Sequence, residues 1–117
     1  MKMTLLEALA IDAEKTSTIA VVGGGGKTSL IFRLMESFVS IGKKVIVTTT
    51  THMAYEPERP FVEDGDIDGV RKNLQRYHYT VAARLDPATE KIGCLCEEKL
   101  EELRGVGDVL MIEADGA

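Results

Sequence analysis

The stretch from Ser17 to Phe38 limits what this chain can become more than any other. An apolar, largely β-branched run, Ile19-Ala20-Val21-Val22, leads into Gly23-Gly24-Gly25-Gly26-Lys27-Thr28-Ser29 and then into Leu30-Ile31-Phe32-Arg33-Leu34-Met35. A buried strand feeding a glycine turn and then a helix start presents backbone N–H groups that have no intrahelical partner, at the positive end of the helix dipole. Such a turn is a phosphate-binding loop. Glycine suits it because a side chain would hold the backbone away from phosphate oxygens and oppose positive φ. In this reading Gly23, Gly24, Gly25, Gly26 and Ser29 line the phosphates, Lys27 contacts the outer ones, and Thr28 offers its hydroxyl to Mg²⁺.

The loop is short. The common form, G-x-x-x-x-G-K-[ST], wants glycine where Val21 stands, so the pattern here is G-x-x-G-K-T counted from Gly23. That short form resembles the loop of the Mur ligase group, and the glycine run is similar to the deviant loops of dimeric ATPases such as nitrogenase iron protein. A dinucleotide fingerprint fits worse, since Thr28 occupies the place of its third glycine.

Further along, apolar runs alternate with helical stripes, which predicts a parallel sheet with main strands near 17–22, 44–50, 78–84 and 108–113. Thr4 and Glu7 form a capping box for a short first helix. Leu30, Ile31, Leu34, Met35 and Phe38 make one stripe of a helix from Lys27 to about Ile41, stopped by Gly42. Asp66 is placed to cap a helix carrying Ile67, Val70, Leu74 and Tyr77, and Glu97 opens a last helix through Arg104. The segment from Met53 to Asp66, with Pro57, Pro60 and Gly65, reads as a lid or a solvated loop.

Two strand ends carry chemistry. Val45-Ile46-Val47 runs into Thr48-Thr49-Thr50-Thr51-His52, and the carboxyl edge of a parallel sheet is where α/β folds bind ligands, so Thr50, Thr51 and His52 are candidate nucleotide or substrate contacts. Val109-Leu110-Met111-Ile112 runs into Glu113-Ala114-Asp115, the form taken by a Mg²⁺-organising acidic motif. Glu113 and Asp115 are therefore candidate metal and catalytic residues beside Lys27 and Thr28.

Composition excludes several classes. With 117 residues, 44% hydrophobic and 28% charged, the chain can build a core, and a net charge of −5 offers no face to a nucleic-acid backbone. No run approaches the roughly 20 apolar residues that span a bilayer, nor is there a secretory leader, so a cytoplasmic protein without membrane or nucleic-acid partners is expected. Cys94 and Cys96 stand too close for a structural disulfide and read as small apolar residues at a strand-to-helix junction.

Three motifs in order, the loop Gly23–Ser29, Thr48-Thr49-Thr50-Thr51-His52 and Ile112-Glu113-Ala114-Asp115-Gly116-Ala117, resemble the YqeC-type family of accessory proteins for selenium-dependent molybdenum hydroxylases. The resemblance implies an α/β, P-loop NTPase-like fold: three layers, α/β/α, around a mainly parallel sheet. It covers nearly all of residues 1–117, read as one nucleotide-binding domain, the N-terminal part of a longer protein. It further implies Mg²⁺-dependent binding of ATP or GTP, with hydrolysis or transfer. The implied service is selenium or molybdenum cofactor maturation, with a selenium-dependent molybdenum hydroxylase or its maturation factors as partners. A nucleotide-gated binding module without turnover is the alternative.

Overall fold

The apolar run before the glycines forms β1 (Thr18–Val21), and the stripe after them forms α1 (Lys27–Ser40). The computed structural model describes residues 18–22, 27–89 and 91–114, with only the backbone described at Lys27, Thr28 and Ala54. The capping box at Thr4, the four glycines and Asp115 lie outside the described residues.

α1 follows its sequence pattern closely. Ile31, Leu34, Met35 and Phe38 are buried, as is Phe32, which the stripe did not include. Complete burial of a side chain such as Ile31 or Phe38 contributes about 1.5–3 kcal/mol. The helix stops at Gly42, whose φ of 87° is left-handed. There the Gly42 N–H donates to Val39 O and the Lys43 N–H to Phe38 O, both at 3.0 Å, so two terminal carbonyls are satisfied.

The remaining elements are β2 (Val45–Thr49), β3 (His52–Ala54), β4 (Phe61–Glu63), α2 (Ile67–Tyr77), β5 (Tyr79–Asp86), β6 (Lys91–Gly93), α3 (Glu97–Arg104) and β7 (Val109–Glu113). Along the sheet the order is β1-β7-β2-β5-β6-β3, with β4 also paired to β5. The four strands expected from apolar runs, β1, β7, β2 and β5, lie side by side and parallel. β7 is flanked on both edges, which is why Val109, Leu110 and Met111 are apolar on consecutive positions.

The sheet is mixed, however, and the expectation of a mainly parallel one is corrected. β5 runs past the end of β2, turns back at Asp86-Pro87 and pairs antiparallel with β6, which in turn pairs antiparallel with β3. The Ala88 N–H donates to Asp86 Oδ1 at 3.0 Å and closes that turn. Three-residue strands such as β3 and β6 are too short to show a period. The segment 53–66 is likewise not simply a lid or loop, since it holds most of β3 and all of β4, which pairs parallel with β5.

Side-chain alternation divides the core between the two faces. On one, α1 packs Ile31, Met35 and Phe38 against Val45, Val47, Val109 and Met111. On the other, Val70 and Leu74 of α2 and Leu103 of α3 pack against Ile46, Ala82 and Leu110. Tyr77, expected on the inward stripe of α2, is 43% exposed. Asp66 occupies the N-cap position of α2, but its side chain makes no capping hydrogen bond. His78 does not begin β5. It caps the end of α2 at φ 69°, its N–H donating to Leu74 O.

The turn before β4 is pinned to α1 by one side chain. The Arg59 guanidinium stacks 3.6 Å from the centre of the Phe32 ring, and its Nε donates to Glu56 Oε2 at 2.6 Å. Burial opposes its charge, but the bonds to Glu56 and to the Tyr79 hydroxyl outweigh burial and raise its pKa.

Candidate functional site at the carboxyl edge

β1, β7 and β2 are parallel, so their carboxyl ends finish at one edge. The register puts Val21, Glu113 and Thr49 in a single row across the three strands. All three side chains alternate onto the face covered by α1, because Val21, Met111 and Val47 belong to the core beneath that helix. Val22 and Lys27, the residues that bracket the glycines, follow β1 and begin α1. Glu113 is therefore level with Val21, two residues before Gly23 in sequence, and on the face of the sheet that α1 covers.

Backbone and hydroxyl groups lock this edge. The Thr49 hydroxyl donates to Glu113 O at 3.1 Å and accepts the Thr51 N–H at 3.1 Å. The Thr50 N–H reaches the same Glu113 carbonyl at 2.9 Å, and the Ala114 N–H donates to Val21 O at 2.9 Å. Thr50 also directs its hydroxyl to Glu113 O at 3.3 Å, and Thr51 Oγ1 lies 3.3 Å from Thr49 Oγ1. The threonine run thus holds the chain in position where it leaves β7 toward Asp115.

Among the expected site residues, Glu113, Thr50 and Thr51 are brought together, with Glu113 only 4% exposed. His52 enters β3 and alternates to the opposite face of the sheet, where its side chain lines a groove with Arg84 and Cys94. Thr49 is a participant that the sequence reading passed over. Its signal was the alignment with Glu113, which no local pattern carries. Cys94 and Cys96 stand at the expected strand-to-helix junction between β6 and α3, where Leu95 between them is buried and both thiols are exposed. The strand-to-helix junction buries one residue of the three, and the thiols flank it.

The Glu113 carboxylate and the threonine hydroxyls at this edge are oxygen donors, the kind a hard cation such as Mg²⁺ prefers. Among the described residues no three His, Cys, Asp or Glu side chains form a ready-made metal site. Among the described residues no helix is long and apolar enough to cross a membrane.

The family described as YqeC protein matches residues 19–117, from the first residues of β1 past the end of β7. The chain belongs to the YqeC family. The YqeC match therefore spans the loop, the threonine run and the acidic motif together. Among curated proteins, the chain is similar to "Uncharacterized protein YqeC" of Escherichia coli (strain K12), at 57% identity over 49 residues. That alignment covers 39% of this chain and 19% of the relative, so the chain spans only a minor part of the relative's length. No solved structure matches the chain.

Proposed function

We propose that this YqeC-family chain is a P-loop NTPase-like unit that binds ATP or GTP with Mg²⁺ at the carboxyl edge of β1, β7 and β2. It would hydrolyse the nucleotide or transfer from it in the maturation of selenium-dependent molybdenum hydroxylases. The observation that supports this reading most is the row Val21, Glu113 and Thr49. It sets a buried carboxylate beside the strand that feeds the glycine loop, on the face of the helix that follows.

In this reading Gly23 to Gly26 and Ser29 cradle the phosphates and Lys27 neutralises the outer ones. Thr28 and Glu113, with Asp115 beyond it, would hold Mg²⁺, which supplies charge neutralisation at the phosphates. Glu113 or Asp115 would orient the attacking group. Thr50 and Thr51 border the same edge, and His52 carries the stretch on into β3.

Thermal unfolding with and without Mg²⁺ and ATP or GTP tests the reading. A nucleotide at about 100 times its dissociation constant adds about 2.7 kcal/mol of stability. Lys27→Ala should abolish that gain while leaving the unliganded midpoint near the wild-type value, since the cation mainly meets phosphate. No stabilisation by either nucleotide, or equal stabilisation of wild type and variant, would overturn the assignment.

A further inference from the structure

On the face of the sheet opposite α1, the antiparallel strands make a second feature. Gly93 of β6 pairs with His52 of β3 on one side and with Arg84 of β5 on the other. The three residues form one row, and alternation sends all three toward the face of α2 and α3, because Met53 and Ile92 beside them face α1. At about 4.8 Å per strand, the backbones of His52 and Arg84 are about 10 Å apart, with a residue lacking a side chain between them. The result is a groove of about 450 Å³ floored by Gly93, with His52, Arg84 and Cys94 among its lining residues. Its volume lies in the range of small-molecule sites.

Neither conformation nor packing demands glycine here. Gly93 is not among the described residues with positive φ, and a Cβ on it would meet only ordinary contacts, 3.6 Å to Thr51 O and 3.7 Å to His52 Nδ1. Glycine in a strand with no backbone reason often marks close approach of a ligand. The walls indicate which kind. Arg84 is exposed, and its guanidinium makes no hydrogen bond or ion pair with the other described residues, nor does the His52 ring. The carboxylate that also lines the groove, Asp86, has one oxygen engaged by the Ala88 N–H.

We propose that this groove binds the oxyanion of a small molecule, a phosphate or a carboxylate, over Gly93. Arg84 supplies a planar two-pronged donor from one wall and His52 a ring N–H from the other. The positive guanidinium repels metal cations from the same place. The site lies across the sheet from α1 and does not depend on the nucleotide reading.

The test is a titration of the full chain with inorganic phosphate and, separately, with malonate, at fixed pH, followed by NMR of the Gly93 amide and the His52 ring. Sodium chloride of equal ionic strength is the control. Saturable shifts at both residues are expected, with the tighter of the two anions naming the oxyanion. Arg84→Ala should weaken binding about tenfold, which corresponds to about 1.4 kcal/mol. Gly93→Leu should remove the shifts by filling the floor. Shifts that chloride reproduces, or an affinity unchanged in Arg84→Ala, would overturn the proposal.

Discussion

The Thr49 hydroxyl donates to the carbonyl oxygen of Glu113 at 3.1 Å, so the side chain of one central strand holds the backbone end of its neighbour. Both residues are buried. Thr49→Val keeps the shape but deletes this bond and strips the Thr51 N–H of its acceptor. Stability should fall by about 1–2 kcal/mol in chemical denaturation. The amide signals of Glu113 and Ala114 should move.

Thr48, one residue earlier, should behave in the opposite way. Its hydroxyl is buried with no hydrogen-bond partner among the described residues, on the face away from α1. Thr48→Val replaces an unsatisfied polar atom with a methyl group of similar size. It should stabilise the fold by about 1 kcal/mol, read as a higher thermal midpoint.

Arg59 ties the turn before β4 to α1 through Phe32 and Glu56. Arg59→Ala should cost about 1–2 kcal/mol, the sum of a cation–π contact and a partly exposed ion pair discounted for solvent screening. Arg59→Lys should recover less than half, because an ammonium cannot stack its plane on the ring. Full recovery by lysine in denaturant titrations would show that only the charge matters.

Gly42→Ala isolates backbone strain. Among the described residues, no atom beyond its chain neighbours lies within 4 Å of where the Cβ would stand, yet φ is 87°. A loss of about 1 kcal/mol in thermal unfolding is expected from conformation alone.

Glu113→Gln bears on function. On the proposed nucleotide reading, it should reduce Mg²⁺-dependent nucleotide turnover more than metal-free nucleotide binding, since the loop N–H groups and Lys27 remain. Unchanged turnover would return Glu113 to a structural role at the end of β7.

Sequence alone determined the parts of this protein that are long and periodic. The stripe of α1, its stop at Gly42 and the four apolar strands are local, because period and turn chemistry act over a few residues. The acidic ending of β7 and the threonine ending of β2 were legible as candidates for the same reason. Tertiary structure decided which ends meet. The insertion of β7 between β1 and β2, which aligns Glu113 with Val21 and Thr49, depends on pairing between distant segments. β3, β4 and β6 have three residues each, too few to carry a period, so the antiparallel extension and its Gly93 row were invisible until the strands paired. His52 shows the physical reason most directly: it follows the threonines in sequence, but strand alternation places it on the opposite face from Thr49 and Glu113.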